Sequence, residues 1–356
     1  MMASPLQTKI HFRKLHPSGS EVRLLELQPA HDISDTVVCR LVNIALAPDV
    51  EFIGLSVLYG DSNTTEQICL NERRISVPAT LAQALRNVRA VVFDAVEVKD
   101  AASEEQRFTP TAKKTPRWLS RLLKGVQSIL LDSNPRSDLQ TPLRLWVDAL
   151  CVNQSDAREQ SQRRAHMAMV YRSARMVVGW LGEKDETSDY AVKIIRTVDK
   201  CMPDNFGDPE DKTQHPENYA PQYKWMTEMK WLWDVPPDIR DPTQFPAFVA
   251  AQAFFSRPYL QRDWILEEIA MATFPAFLVG DEILSWMQVL RWNRCNEELM
   301  DNATAIFPEG FRSLIQFMPL GAIYTLLKDF ERRRRTGSDT STNPVPGSSS
   351  VSTKSR

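Results

Sequence analysis

The sequence lacks the motifs that identify the commonest enzyme classes. It contains no GxxxxGK(S/T), GxGxxG, HExxH or GxSxG motif, which argues against P-loop, Rossmann, zinc-protease and α/β-hydrolase chemistry. The five histidines show no ligand spacing, and the five cysteines are scattered without a CxxC pair. These absences predict reduced thiols, no metal site and no resident cofactor.

The chain also lacks a strong net charge and a long apolar run. Its 356 residues carry a net charge of -2 and are 43% hydrophobic, enough for a large core but too neutral to attract nucleic acid. No run approaches the roughly 20 apolar residues that span a bilayer, and the N-terminus lacks the apolar stretch of a secretory signal. The sequence therefore predicts a cytoplasmic protein without a transmembrane segment and without a nucleic-acid partner.

A strand, loop, helix, strand pattern is present between residues 145 and 182. The first strand, predicted to run to Val152, carries Asp148 toward its C-terminal end. In the loop that follows, Asp156 and Glu159 have the spacing of a capping box. Four apolar residues then recur at the helical spacing that faces a core: Met167, Val170, Tyr171 and Ala174.

Composition divides the chain into five segments. Residues 1–50 are predicted to be a strand-rich segment that packs on the core, and 51–295 to be the main domain. Within that domain, 97–142 is polar and proline-rich, which indicates an insertion or a mobile loop. Residues 296–330 are predicted to be a helical extension, and 331–356 lack the apolar residues needed to fold.

The polar insertion contains a basic amphipathic stretch at residues 107–130. Six basic and no acidic residues lie between Arg107 and Gln127, so this stretch could contact an anionic membrane surface or a protein partner. The commoner alternative is a surface helix whose apolar face closes the core.

Candidate site residues lie on two predicted elements. Asp148 falls at a strand end, where open parallel sheets bind ligands, although it could instead cap a turn. Asn153 lies in the loop that follows it. On a later predicted helix, Glu268 is four residues after Trp264, so the indole and the carboxylate share one face. The alternative is that Trp264 is a core residue and that Glu268 is solvated or paired with an arginine.

The stretch from 145 to 182 resembles the HET (heterokaryon incompatibility) domain of filamentous fungi. The matching motifs are LWVDALCVNQ, Glu159, Met167, the Val170-Tyr171 pair, Ala174 and the closing WLG. Flanking blocks GLSVLYG, RDWILEEIAMA and FLVGDEILSW extend the resemblance from about Val22 to Trp292. Several residues depart from the family pattern: Val57, Tyr59, Gln160, Arg163, Arg164 and Glu267.

The resemblance implies a role in fungal heterokaryon incompatibility and programmed cell death. HET domains are in turn similar to TIR domains, so the implied fold is α/β, with a TIR/flavodoxin-like, mostly parallel sheet flanked by helices and carrying helical insertions. Partners would be a second copy of the chain or another incompatibility protein. The alternative to an enzyme is a non-enzymatic module that self-associates or binds a partner in signalling.

The TIR resemblance also implies an activity. Some TIR domains of cell-death and innate-immune proteins cleave NAD, and their catalytic glutamate lies in a motif resembling DWxxxEI. Asp263, Trp264, Glu268 and Ile269 match that motif here. The resemblance thus implies that NAD is a substrate and not a bound cofactor, and that Glu268 is catalytic. Trp264 would border the nicotinamide riboside, and Asp148 or Asn153 would line the crevice.

Overall fold

A single mixed sheet runs through the part of the chain that the computed structural model describes. The described residues are 10–16, 20–60, 64–97, 116–123, 143–221, 223–236, 238–239, 241–262, 268–302, 307, 309–316 and 323–335. Nine strands occur within them: β1 Glu21–Leu27, β2 Val38–Ala45, β3 Ile53–Val57, β4 Thr65–Leu70, β5 Arg73–Pro78, β6 Leu143–Trp146, β7 Met176–Trp180, β8 Pro275–Val279 and β9 Glu282–Ser285. Their order across the sheet is β5-β4-β2-β1-β6-β3-β7-β8-β9.

Helices cover this sheet and continue beyond it. In the described ranges they are α1 Ala79–Glu97, α2 Arg117–Leu122, α3 Asp148–Cys151, α4 Ala157–Ser173, α5 Ser188–Cys201, α6 Pro209–Gln214, α7 Lys230–Trp233, α8 Pro246–Phe255, α9 Trp286–Asp301, α10 Glu309–Ile315 and α11 Ile323–Arg335. Short 3-10 helices occupy Pro216–Asn218, Lys224–Met229, Pro242–Gln244 and Pro258–Gln261.

The α/β class agrees with the prediction, but a mostly parallel, TIR/flavodoxin-like sheet is not confirmed. Among the described residues, the run β6-β3-β7-β8 pairs in parallel, and so does β2 with β4. Four of the eight strand pairings are antiparallel, and they include the longest ladder, β1 with β2. Short turns cause part of this difference, because strands joined by two residues must run antiparallel. Asn71 and Glu72 form such a turn between β4 and β5, with φ values of 50° and 64°.

The centre of the sheet is buried on both faces. Every residue of β3, β7 and β8 is buried, as expected for strands covered on each side by helices. Two strand glycines let tyrosines approach the sheet closely. A Cβ atom at Gly54 would lie 2.9 Å from the ring of Tyr171, and one at Gly179 would lie 2.5 Å from the hydroxyl of Tyr259.

Two predicted boundaries are corrected by the structure. The strand predicted to reach Val152 ends at Trp146, because the chain turns at once into the one-turn helix α3. Residues 331–335, which were predicted to belong to the unfolded tail, form the last turn of α11, which ends at Arg335. Glu331 is 5% exposed and pairs with Arg294 at 2.5 Å, which fixes this last turn on α9. Residues 336–356 lie outside the described residues.

Part of the basic amphipathic stretch is described, and its apolar side contacts the core. Leu119 and Leu123 are buried, and Trp118 stacks on Phe274 with ring centroids 5.3 Å apart. For residues 116–123 these contacts agree with the alternative of a surface helix whose apolar face closes the core. That apolar face is therefore occupied. The rest of 97–142 lies outside the described residues. None of the described helices is long and apolar enough to cross a membrane.

Candidate functional site

Glu268 is the first of three described helical residues, 268–270, that precede β8. Its neighbour Ile269 is fully buried and anchors these residues in the core. The carboxylate atom Oε2 accepts hydrogen bonds from Ser56 Oγ at 2.9 Å and from the Tyr171 hydroxyl at 3.1 Å. The side chain is half-buried. One carboxylate oxygen is therefore fixed, and the other, Oε1, has no hydrogen-bond donor among the described residues.

Three elements bring these groups together. Ser56 is in β3 directly opposite Gly179 of β7, where the Tyr259 hydroxyl fills the space that a side chain would take. Tyr171 projects from α4 over β3, where Gly54 leaves room for its ring. The edge of the Trp146 ring meets the Tyr171 ring with centroids 5.3 Å apart. Packing thus sets the direction of the Tyr171 hydroxyl.

Burial raises the pKa of Glu268 from 4.5 to about 7. The hydrogen bond from Ser56 opposes this shift, and the negative charge of Asp148 adds to it. The hydrogen bond from Tyr171 and the positive charge of Arg163 lower the pKa by smaller amounts. Near neutral pH the group therefore exists in both protonation states, as suits a residue that must act as an acid and as a base.

Asp148 belongs to the same polar cluster. It begins α3 immediately after β6, where its Oδ1 accepts from the Tyr59 hydroxyl at 2.6 Å and its Oδ2 accepts from the Arg163 guanidinium. Burial, with the charge of Asp148, raises the pKa of Tyr59 well above its usual value, so this phenol stays protonated and donates. We refer to Ser56, Tyr59, Asp148, Arg163, Tyr171 and Glu268 as the Glu268 cluster.

Of the remaining predicted site residues, the structure describes Asn153. Its Oδ1 accepts from the Ser155 backbone amide at 3.1 Å, and its own backbone amide donates to Glu159 at 2.9 Å, so neither bond involves the Glu268 cluster. Trp264 lies outside the described residues, as does Asp263. Sequence reasoning thus chose both acids of the cluster, while Asn153 makes no hydrogen bond to it.

The predicted capping box forms only in half. Asp156 caps α4 by accepting from the amides of Arg158 and Glu159. The Glu159 carboxylate does not return to the cap. Instead it accepts from both Nη1 and Nη2 of Arg23, at 2.9 and 2.8 Å. Arg23 is 1% exposed, and a buried guanidinium needs an acceptor more than the cap amide does.

Four members of the cluster were missed as site residues in the sequence. Tyr59 and Arg163 stood out only as departures from the family pattern, and Tyr171 only as a core residue. Nothing in the sequence indicated that Ser56 belongs to the site, because a serine inside an apolar strand does not show which strand lies next to it. The rule that ligands bind beyond the carboxyl ends of parallel strands could have directed attention to residues 56–59.

No group of residues in the described ranges has an arrangement that could hold a metal ion. The cluster offers instead two carboxylates in different surroundings and three hydroxyl donors.

Comparison with known proteins indicates a family. Residues 100–268 match the family model described as Heterokaryon incompatibility protein (HET). This part of the chain is similar to that family. The matched range includes the segment from 145 to 182 and ends at Glu268, whereas the resemblance in sequence motifs runs from about Val22 to Trp292.

A curated relative extends this similarity beyond the matched range. The chain is 22% identical over 320 residues to "Heterokaryon incompatibility protein 6, OR allele" of Neurospora crassa. The alignment covers 86% of this chain and 41% of the relative, so the chain spans about two fifths of that protein's length. No solved structure matches the chain, and none of the comparisons supports a likeness to TIR domains.

Proposed function

We propose that this HET-domain chain acts in fungal heterokaryon incompatibility and the programmed cell death that belongs to it. The support is the HET match over residues 100–268 and the similarity to a Neurospora protein named for incompatibility. Its partner would be a second copy of the chain or another incompatibility protein. Expression in a fungal host should arrest growth, and normal growth at high expression would contradict the proposal.

The reaction we propose is cleavage of the bond between nicotinamide and ribose in NAD. The single observation that carries it is the half-buried Glu268, whose Oε2 is held by two hydroxyl groups and whose Oε1 meets no donor in the part of the chain that the structure describes. Such a carboxylate can stabilise the oxocarbenium-like state that forms when a ribosyl bond breaks. The chemistry of that state, together with the position of Glu268 in the sequence motif, supports NAD over other substrates.

The proposed steps balance without a cofactor. The C1′–N bond breaks, and both of its electrons leave with nicotinamide. Ionised Glu268 stabilises the positive charge at C1′ through Oε1, while Ser56 and Tyr171 keep Oε2 in place. Water then adds to C1′ and passes its proton to the Glu268 carboxylate, which releases it to solvent, giving ADP-ribose. Trp264 would border the nicotinamide riboside and Asp148 the crevice, a role for which Asn153 has less support.

A pair of matched variants tests the enzymatic proposal. Purified protein, assayed under crowding or induced oligomerisation, should release nicotinamide from NAD. Glu268→Gln should lower this rate about 100-fold or more, the usual effect of losing an acid–base side chain. Glu186→Gln removes the same charge from an exposed glutamate and should leave the rate unchanged. Intact NAD in the oligomerised wild-type protein would refute the enzymatic proposal.

A second function, a non-enzymatic signalling module, is favoured by another observation. Both oxygens of Asp148 and one of Glu268 are already hydrogen-bonded by the chain's own side chains, an arrangement that also stabilises a core. In that case Glu268→Gln should leave growth arrest intact in the fungal host. Loss of growth arrest in Glu268→Gln, with growth arrest retained in Glu186→Gln, would exclude this second function.

A further inference from the structure

A cavity of about 520 Å³ lies between the N-terminal segment and the outer face of α4. Its lining includes Lys14, Arg158, Gln162, Arg163 and His166, and we call it the α4 cavity. The volume falls within the range of small-molecule sites. Most of its lining is polar or charged, which points to a polar ligand.

The acids and the bases of the α4 cavity differ in what they bind. Each of its three carboxylates already accepts hydrogen bonds: Glu159 from Arg23, Asp156 from the first amides of α4, and Glu21 from the His16 amide. The ammonium of Lys14 and the guanidinium of Arg158 meet no acceptor among the described residues. The groups in the cavity that lack a partner among the described residues are therefore the two cations.

Arg163 joins the α4 cavity to the Glu268 cluster. One of its terminal nitrogens donates to Asp148, while its Nε–H is buried and meets no acceptor within the described ranges. A buried donor without an acceptor costs free energy, which an anion in the cavity would recover. The guanidinium can donate two parallel N–H groups to one phosphate while another of its N–H groups continues to donate to Asp148.

We propose that the α4 cavity binds the phosphate groups of a small molecule through Lys14, Arg158 and Arg163. Two sources have this chemistry: the diphosphate of a dinucleotide such as the proposed substrate, and a free phosphate-bearing effector. The inference goes beyond the proposed function and does not need it, because binding can be measured without turnover.

Inorganic pyrophosphate is the probe for this site. Calorimetric titration into the purified chain at fixed ionic strength should show saturable binding. The double variant Lys14→Gln/Arg158→Gln should weaken binding about tenfold or more, since two charge-assisted hydrogen bonds are lost. Arg172→Gln removes a positive charge from an exposed part of the same helix outside the cavity and should bind like wild type.

Three results would overturn the proposal: no saturable binding by the folded wild-type chain, an equal loss in Arg172→Gln, or malonate binding as tightly as pyrophosphate. Thermal unfolding followed by circular dichroism confirms that each variant is folded. Competition then identifies the source, because NAD displaces pyrophosphate only if the substrate's diphosphate uses the cavity. Pyrophosphate binding without NAD cleavage would sustain this site and refute only the enzymatic proposal.

Discussion

Two glutamates of this chain, the half-buried Glu268 and the buried Glu298, are held in opposite ways. Glu268 accepts only from neutral hydroxyl groups and lies near a second carboxylate, Asp148. Glu298, on α9, is 4% exposed and pairs with the Lys212 ammonium at 2.5 Å. Asn302 and Tyr223 donate to its other oxygen at 2.8 and 3.3 Å.

The difference shows that the surroundings of a glutamate determine whether it stabilises the fold or is available for chemistry. A carboxylate whose charge is balanced by a cation and two further donors stabilises the fold and has no free oxygen. A carboxylate with neutral donors, a neighbouring negative charge and one free oxygen is poised to exchange a proton. On this basis Glu298 is structural, and Glu268 is the residue available for chemistry.

The largest effect on stability is expected at Glu298. Glu298→Ala should lower the free energy of unfolding by about 3 kcal/mol, because it leaves the partner ammonium and two further donors without their acceptor. Urea unfolding at pH 7 measures this, with the exposed Glu186→Ala as the control. A loss below about 1 kcal/mol would show that the contrast between the two glutamates is false.

The next effect is the pH dependence that Glu268 confers. Its folded pKa of about 7 exceeds the ordinary 4.5, so the native state binds this proton more tightly than the unfolded chain does. The resulting stabilisation is fully present below about pH 4.5 and is lost as pH rises through 7. Relative to Glu268→Gln, wild type should lose roughly 3 kcal/mol across this window. Unfolding measured at several pH values tests it, and parallel curves would contradict it.

A smaller effect separates the two donors to Glu268. Removing either hydroxyl takes away a hydrogen bond that favours the ionised carboxylate, so the pKa of Glu268 should rise. Ser56→Ala should raise it more than Tyr171→Phe, because the serine bond lowers it more. The pH midpoint of NAD cleavage, or of the stability difference from Glu268→Gln, reports the shift. The reverse order would mean that Tyr171 is the main partner.

The smallest effect is expected from Tyr223→Phe. The Tyr223 hydroxyl donates to Glu298 at 3.3 Å. In the variant that carboxylate still accepts from Lys212 and Asn302. The free energy of unfolding should fall by only about 0.5–1 kcal/mol, the worth of one neutral hydrogen bond. Urea unfolding beside Glu298→Ala gives the comparison, and equal losses would show that the phenol, not the ammonium, balances the charge.

The local pattern of 145–182 could be predicted from the sequence because buried positions recur as apolar residues at a regular spacing. Val170 and Tyr171 were placed on the core side of a helix, and both are almost fully buried. No such spacing indicates whether two strands pair in parallel or antiparallel. β1 reads as an apolar run, yet its antiparallel pairing with β6 depends on a partner distant in the chain.

The candidate site was predictable where a residue type implied chemistry and hidden where contact defined it. Glu268 and Asp148 are acids at positions that a motif and a strand end single out. Ser56 and Tyr59 gain their meaning only because β3 lies beside both β6 and β7. Arg163 could not be assigned from spacing, because its acceptor is on a different helix.

The place of β1 in the sheet limits how the chain can be shortened for experiments. β1 lies between β2 and β6, so deleting residues 1–50 would remove two interior strands. The β4-β5 hairpin would lose its neighbour, and β6 would become an open edge with unpaired backbone groups. A version cut to residues 51–295 should therefore aggregate, and growth assays with such a truncation would report misfolding rather than loss of signalling.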